Sequence, residues 1–326
     1  MKPHYAFFGA ALLLAACGGA SDTDIGGGGT DGGGGGGDIP DFVDPGELPV
    51  TGESFCGSFT CSGEITNIAY NATDDELYLT GLPFDDQQLG GEYLRIGTSN
   101  GFAIYQNDNP SIFARYLAIH QSSVGDAITV GVAAASGYQD YGYSGAWYQL
   151  NDLTTNIPVG NTEDSFVAYS GTYAGLMSYL GQTGLDRTVG LLNLEVDFTD
   201  SKLRGTISNR SIDTKGDTVL SPGDFYLDAP TITGAEDDIA LNTIVLKDTD
   251  ITDGAFSGVA SSFEGAEDVE TGTYQGFFGG TDANVVGGLV QVFNPDFTDA
   301  EDEDTPVTSR DLGVFVGEST PLTDPD

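Results

Sequence analysis

The chain has 326 residues with 50 acidic and 10 basic side chains, and its formal net charge is −40. Such an excess of acidic residues leaves no basic surface of the kind that nucleic acid binding requires. A chain with this charge is also repelled by anionic lipid headgroups. We therefore exclude nucleic acid as a partner. The charge is typical of a strongly hydrated surface, and a cationic partner is the alternative interpretation.

The first residues have the pattern of an exported bacterial lipoprotein. Lys2 precedes an apolar run that ends at Ala16 and has the length of a signal peptide, which is too short for a membrane span. Residues 14–17 are Leu-Ala-Ala-Cys, which resembles the bacterial lipobox. That resemblance implies that residues 1–16 are removed and that Cys17 carries acyl chains, including palmitate; the alternative is an ordinary secretory signal that contains a cysteine. Gly18 follows in place of Asp, which implies sorting to the outer membrane.

Residues 17–54 are predicted to be a tether between the lipid and the folded part. Poly-glycine runs at 26–29 and 32–37 are followed by acids and prolines. Such a composition has too little apolar surface to offset chain entropy. The segment therefore predicts a flexible spacer above the membrane.

Two cysteines remain after Cys17 is assigned to the lipid. Cys56 and Cys61 are separated by four residues that include Gly57. In an oxidising compartment outside the cytoplasm, a close pair of this kind indicates a disulfide. A metal site is the alternative, but His120 is the single histidine after the leader, so partners for such a site are few.

Composition predicts an all-β protein. The chain has 48 glycines, 15 tyrosines and 18 phenylalanines, and it has no convincing long amphipathic helix. We expect an irregular, handle-like β domain over residues 55–165, an antiparallel eight-stranded β-barrel over 166–318, and an acidic tail over 319–326. Short strands with even spacing, among them residues 239–246, favour a closed barrel, because closure removes exposed sheet edges.

The most aromatic segment, residues 138–148, is our candidate ligand surface. Glycines beside its rings allow tight turns and exposed aromatic faces, which make good contact material. The alternative is a hairpin whose rings pack inward. The predicted contact residues are Tyr138, Tyr141, Tyr143, Trp147 and Tyr148.

Residues 272–288, with a Gly-Thr-Tyr-Gln-Gly-Phe-Phe-Gly strand and a Gly-Gly strand, resemble the glycine-phenylalanine hairpin of transferrin-binding protein B β-barrels. Residues 196–198 and 205–207 resemble an earlier hairpin of that family, and 313–317 resemble its closing strand. The resemblance covers about 168–318. It implies an outer-membrane lipoprotein with a binding role, a barrel beside a handle-like domain, and a partnership with an outer-membrane transporter or a surface-export translocon.

The sequence departs from that family at two points. Asn284 occupies the turn position where the family has Glu, and the chain has one barrel where the transferrin receptors have two lobes. The resemblance therefore assigns neither transferrin nor any ligand-contact residue to this chain.

Catalytic patterns are sparse. A serine triad would need His120, but the chain lacks a Gly-x-Ser-x-Gly elbow, and we interpret His120 as a histidine at the end of a strand. Among so many acidic residues, a carboxylate pair for glycan hydrolysis is an open alternative, although nothing in the sequence singles out two of them. The acidic run that contains Asp296, Asp299, Asp302 and Asp304 is a candidate cation site, against the alternative of a solvated loop.

These observations predict a lipid-anchored, non-catalytic protein that binds a solute or protein ligand and needs no cofactor. A structural or adhesion role in the envelope is the first alternative, and a carboxylate-dependent glycan hydrolase is the second.

Overall fold

Two antiparallel sheets form the described part of the chain in the computed structural model. The structure describes residues 67–80, 91–107, 116–135, 142–152, 166–181, 185–213, 239–265, 267–297 and 307–320. Helical structure within these ranges is limited to two short 3-10 turns, Val124–Asp126 and Thr281–Ala283. None of the described residues belongs to a helix with the length and hydropathy of a transmembrane span.

The first sheet is a seven-stranded meander in which each strand pairs with the next along the chain. Its strands are β1 (Asn67–Asn71), β2 (Glu76–Thr80), β3 (Gly91–Ser99), β4 (Phe102–Asn107), β5 (Leu117–Ser122), β6 (Ile128–Ala135) and β7 (Tyr143–Leu150). Asn100 and Gly101 form the two-residue turn between β3 and β4, and both have positive φ. That backbone matches the twist of a hairpin, and Asn-Gly adopts it at little cost.

The second sheet closes into a barrel. Its strands are β8 (Phe166–Tyr179), β9 (Leu185–Asp197), β10 (Lys202–Ile212), β11 (Ile239–Ala240), β12 (Ile244–Thr252), β13 (Ala255–Glu264), β14 (Glu267–Gly279), β15 (Val285–Phe297) and β16 (Val307–Thr320). The order is β11-β10-β12-β13-β14-β15-β16-β8-β9, and pairing of β9 with β10 joins the two ends. Eight strands thus form the closed wall, with β11 as a two-residue addition. The predicted all-β class and eight-stranded antiparallel barrel are confirmed.

One predicted strand, residues 239–246, is split in the structure. Ile239–Ala240 pairs with the end of β10, and β12 begins only at Ile244. The chain between them presents the Asn242 carbonyl oxygen to the Arg210 guanidinium at 2.6 Å. The break thus faces a buried charge on the neighbouring strand β10, which is distant in sequence, and the local pattern of apolar residues carries no sign of it.

The barrel interior is filled by alternate side chains of the closing strands. Leu192, Leu194 and Val196 of β9 point inward, in agreement with the alternation of their sequence. Phe278 contacts the rings of Tyr169, Phe198 and Phe256 with centroids 5.3 to 5.4 Å apart. These side chains form an apolar core inside the barrel.

The two sheets belong to one compact unit and share a second core. Strand β6 contributes Ile128 and Val130, and the outer wall of the barrel contributes Leu289 and Val314. At the Asn100 turn, the side-chain amide donates to the carbonyl oxygens of Tyr173 and Gly190 at 3.0 and 2.7 Å. The barrel thus covers one face of the first sheet and leaves its other face to form a separate cluster.

Candidate functional site

A cluster of aromatic and charged residues lies on the face of the first sheet that is turned away from the barrel. We call it the aromatic site. Its members are Tyr70, Asp75, Arg95, Tyr105, His120 and Trp147.

The sheet register brings His120 and Trp147 together. His120 of β5 pairs with Gly131 of β6, and Gly131 pairs with Trp147 of β7. A Cβ atom at Gly131 would overlap the indole ring. Because that position is empty, the indole crosses β6 and lies nearly parallel to the imidazole, with centroids 6.3 Å apart and an interplanar angle of 27°.

Two tyrosines complete the ring cluster. The Tyr105 ring meets His120 edge-on at 6.3 Å, and Tyr70 lies 5.2 Å from His120. Tyr70 is 46% exposed, whereas His120 is 8% and Trp147 is 1% exposed. Tyr70 belongs to β1, which is the edge strand of the sheet. The site therefore has a buried floor and an exposed rim.

An ion pair forms the polar part of the rim. Arg95 Nη1 lies 2.6 Å from Asp75 Oδ2, and both side chains are more than a third exposed. Tyr70 and Tyr105 each donate a hydroxyl hydrogen bond to Asp75 Oδ1, at 2.9 and 2.8 Å. Burial raises the pKa of Asp75, but the hydrogen bonds from Tyr105, Tyr70 and Arg95 outweigh it and lower that pKa below its ordinary 3.8.

Arg95 makes further contacts at this rim. Its Nε donates to the Gly97 carbonyl oxygen at 3.0 Å, and its Nη2 donates to Thr98 Oγ1 at the same distance. The guanidinium carbon also lies 6.0 Å from the centre of the Tyr105 ring. These contacts hold the guanidinium in one place beside Asp75.

The floor of the site contains two ring nitrogens that lack hydrogen bonds. Within the part of the chain that the structure describes, neither His120 Nδ1 nor Trp147 Nε1 has a partner. A buried polar atom without a partner costs about 1–3 kcal/mol of stability. Two such atoms in adjoining rings are therefore an expensive arrangement, and native proteins rarely keep one without a reason.

Burial also determines the charge of the floor. Desolvation lowers the pKa of His120 from 6.5 to about 4, with a smaller opposing contribution from Asp75. The imidazole is consequently neutral at pH 7, with one nitrogen protonated and the other able to accept. The floor offers an indole donor beside an uncharged imidazole.

A second polar cluster lies inside the barrel, and we call it the barrel charge cluster. Arg210 contacts Glu270 through two hydrogen bonds, at 2.7 and 3.1 Å, and Asp311 through a third, at 2.8 Å. Thr188 Oγ1 donates to the other Asp311 oxygen at 2.8 Å. Burial lowers the pKa of Arg210, but the two carboxylates outweigh it and raise that pKa. The Arg210 side chain is 0% exposed, so this cluster is enclosed.

The described rings of the predicted contact segment, residues 138–148, lie in different environments. Trp147 and Tyr148 are buried, the first in the aromatic site and the second between the sheets against Phe277. Tyr143 is partly buried against the Trp147 cluster. The described rings of this segment thus follow the inward-packing alternative. Tyr138 and Tyr141 lie outside the described residues.

Several other predicted residues lie outside the described ranges. They are Cys17, Cys56, Cys61, Asp299, Asp302 and Asp304. Asp296 lies within β15, but its side chain is not among those described. Among the described residues, no three His, Cys, Asp or Glu side chains are grouped so that they could hold a metal ion.

Sequence reasoning missed four members of the aromatic site: Tyr70, Asp75, Arg95 and Tyr105. They lie on four separate elements, and no local spacing connects them. One signal was present in the sequence. Gly131 interrupts the apolar run of β6, and a glycine inside a strand often marks the close approach of another group.

No protein-family model and no curated protein matches the chain. Two solved structures of transferrin-binding protein B are similar to it at a TM-score of 0.38. Intact Ap-TbpB, with N and C lobes, is 13% identical over 78% of this chain and 43% of that chain. A mutant of the vaccine antigen from Haemophilus parasuis is 14% identical over 78% of this chain and 45% of that chain.

A third similar structure is a protein of unknown function in the DUF3598 family from Nostoc punctiforme. It is 15% identical, with a TM-score of 0.23, over 84% of this chain and 96% of that chain. The chain spans less than half the length of the two transferrin-binding protein B structures. At TM-scores this low, these likenesses identify neither a family nor a ligand for the chain.

Proposed function

We propose that this chain is a lipid-anchored binding protein of the bacterial envelope that holds its ligand at the aromatic site and performs no catalysis. The Leu-Ala-Ala-Cys pattern at 14–17 and the glycine-rich residues after it support the anchor and tether. A permanent anchor suits a protein that captures a ligand near a membrane. Gly18 supports the outer membrane as the location, and a transporter or export translocon is the accompanying partner.

The observation that carries the proposal is the contrast between the floor and the rim of the aromatic site. Its floor holds two ring nitrogens without partners in the described chain, while the rim above them exposes Tyr70. Ligand sites combine ring surfaces with a few convergent polar groups. A ligand that reached the floor would recover the hydrogen bonds that folding leaves unmade.

The state of His120 supports binding over catalysis. A nucleophilic triad needs a hydroxyl or thiol within hydrogen-bond reach of the imidazole and a third group that orients the ring. Within the described residues, His120 Nδ1 has no such orienting partner. Its low pKa also makes it a weak base at neutral pH.

The anchor is tested by replacing Cys17 with Ala. We expect the native chain to incorporate labelled palmitate and to sediment with outer membranes, and the C17A chain to do neither. Protease treatment of intact cells then reports whether the chain faces outward. Equal membrane association of both chains would contradict the lipid anchor.

The binding role is tested by capture from environmental or host fluids on the immobilised full chain. We expect one defined component to be enriched by the native chain, and to be lost with Tyr70→Ala. Tyr78→Phe is the matched control, because Tyr78 lies on β2 and its hydroxyl donates to Glu76. Enrichment that is equal in all three chains, or absent from all, would favour a structural or adhesion role instead.

A further inference from the structure

The two nitrogens on the floor of the aromatic site define what a ligand must offer. An indole N–H only donates a hydrogen bond, so Trp147 Nε1 requires an acceptor. The neutral imidazole of His120 accepts at one nitrogen and donates at the other. A hydroxyl group does both, and it therefore satisfies either tautomer of His120 while accepting from Trp147.

Charges around the floor exclude an anionic ligand. Arg95 is the cation at the rim, and all three of its nitrogens already donate, to Asp75, Gly97 and Thr98. Asp75 itself adds a negative charge at the rim, and the chain as a whole carries −40. An anion would enter against this field with no free cation to receive it.

A cationic ligand is also unfavourable, because of the hydrogen-bonding groups on the floor of the site. Ring clusters bind ammonium groups through their faces, and Asp75 would add attraction. However, a simple quaternary ammonium ion has no lone pair for Trp147 Nε1, so the buried indole donor would stay without an acceptor. The unmade bond would continue to cost about 1–3 kcal/mol. A neutral ligand with hydroxyl groups avoids both penalties.

The ring cluster also favours a ligand that has a flat apolar face. Tyr70 is the exposed ring of the cluster and lies against His120, and an exposed aromatic face buries flat apolar area well. A pyranose ring has C–H groups on its faces and hydroxyls around its edge. It can thus cover an aromatic face while its hydroxyls meet the floor nitrogens and the Asp75–Arg95 pair.

We propose that the aromatic site binds a neutral saccharide, with hydroxyl groups on His120 Nδ1 and Trp147 Nε1 and a sugar face against Tyr70. This assignment rests on the proposed binding function and gives its ligand class. Entry requires the Tyr70 ring to turn away from His120. Such a movement displaces few neighbours, because β1 is an edge strand and the Tyr70 ring is 46% exposed, although it gives up the hydrogen bond to Asp75.

The test uses the intrinsic fluorescence of the full chain, because Trp147 is its single tryptophan. The chain is titrated with maltose, cellobiose and lactose as neutral sugars, and with galacturonate and tetramethylammonium as charged probes. We expect a saturable change in Trp147 emission with at least one neutral disaccharide, at a dissociation constant of about 1 mM or lower. Galacturonate and tetramethylammonium should leave the emission unchanged.

Two variants separate the proposed contact from a general effect on the fold. His120→Phe keeps a ring in the stack but removes both ring nitrogens, and we expect it to weaken sugar binding about tenfold, the loss of one hydrogen bond. Tyr78→Phe should bind as the native chain does. Thermal melts of both variants verify that they are folded at the temperature of the titration.

Four results would overturn the saccharide assignment. The first is no emission change with any of the three neutral sugars, which would mean that the floor holds solvent only. The second is a change with galacturonate or tetramethylammonium alone. The third is unaltered binding by His120→Phe, and the fourth is equal weakening by Tyr78→Phe. If capture still yields a Tyr70-dependent component, the binding function stands and only the ligand class is wrong. If that capture fails as well, both proposals fall.

Discussion

The aromatic site and the barrel charge cluster both place polar side chains in a β-sheet protein, but they treat them in opposite ways. In the barrel, all four oxygens of Glu270 and Asp311 accept hydrogen bonds, from Arg210 and Thr188. At the aromatic site, the buried nitrogens His120 Nδ1 and Trp147 Nε1 have no hydrogen bond within the described chain.

The difference separates a structural from a functional use of burial. A charge enclosed in a barrel is tolerable only when its partners are present in the fold, because nothing outside can reach it. Polar atoms below an exposed ring can instead be satisfied by a ligand. Two polar atoms in this part of the barrel also lack hydrogen-bond partners in the described chain: Arg210 Nε, and Oγ of Ser262, which is paired with Glu270 in the sheet. The carboxylate oxygens of the cluster, however, all accept hydrogen bonds.

The largest expected effect comes from breaking the barrel charge cluster. Arg210→Met leaves two carboxylates inside the barrel without their cation, and we expect it to lower the free energy of unfolding by about 3–5 kcal/mol. Urea unfolding followed by circular dichroism measures the loss. The triple variant that adds Glu270→Gln and Asp311→Asn should recover much of it. A loss below about 1 kcal/mol for Arg210→Met would contradict a structural role for the pairing.

A pH series tests the floor of the aromatic site. The pKa of His120 is about 4 in the folded chain against 6.5 unfolded, so the unfolded chain binds the proton first as pH falls. The contribution of the neutral His120 to the free energy of unfolding is complete above pH 6.5. It declines towards pH 4, by about 3 kcal/mol in total. Asp75 contributes little over most of this range, because its pKa is lowered from 3.8 in the folded chain and its own contribution is lost mainly below about pH 4.

The control for this series is His120→Phe, which cannot titrate. Denaturant unfolding of both chains at pH 7 and pH 4 should show the native chain losing about 3 kcal/mol more than the variant. Arg95 faces the imidazole and disfavours its protonation, which acts in the same direction. Equal losses in the two chains would mean that His120 titrates as an exposed histidine does.

Gly131→Ala, which adds a methyl group, is expected to have a smaller effect on the free energy of unfolding. Its Cβ overlaps the Trp147 ring, and displacing that ring should cost about 1–3 kcal/mol. Trp147 emission should also move to longer wavelength as the indole becomes exposed. Gly276→Ala is the matched control in the barrel, since its Cβ overlaps Phe256. It should destabilise the chain while leaving the native emission unchanged, and identical emission shifts in both would disprove the proposed contact.

The smallest effect comes from removing the Tyr70 hydroxyl. Tyr70→Phe loses one hydrogen bond to Asp75, and the one from Tyr105 remains, so we expect a loss of about 1 kcal/mol or less. The pKa of Asp75 should rise, because one of the bonds that lower it is gone. Carboxyl NMR titration measures the change, and Tyr78→Phe should leave it unaltered. A larger pKa rise in the control would show that the rim is arranged differently.

Much of the barrel could be predicted from the sequence. Alternation of Leu192, Leu194 and Val196 shows which side chains face inward, because strand side chains alternate with a period of two. The segment 239–246 was predicted wrongly as one strand, since its interruption depends on Arg210 some thirty positions away.

The candidate site was predicted only in part. Trp147 belonged to the predicted contact segment, and the structure includes it in the aromatic site. His120 was interpreted as a strand-end histidine, whereas it lies within β5 and stacks between Tyr70 and Trp147. Asp75 and Arg95 are 20 positions apart, and their pairing depends on how β1 to β3 fold together.

The sequence by itself determined the class of the protein. Its glycine and aromatic content and its alternating runs predict antiparallel β-structure, because those properties act between neighbouring residues. The tertiary structure alone decided which polar groups would be paired and which would be left open. Arg210 meets its carboxylates, and His120 meets the indole of Trp147, only through strand register. Register depends on pairing between distant segments, and no short stretch of sequence encodes it.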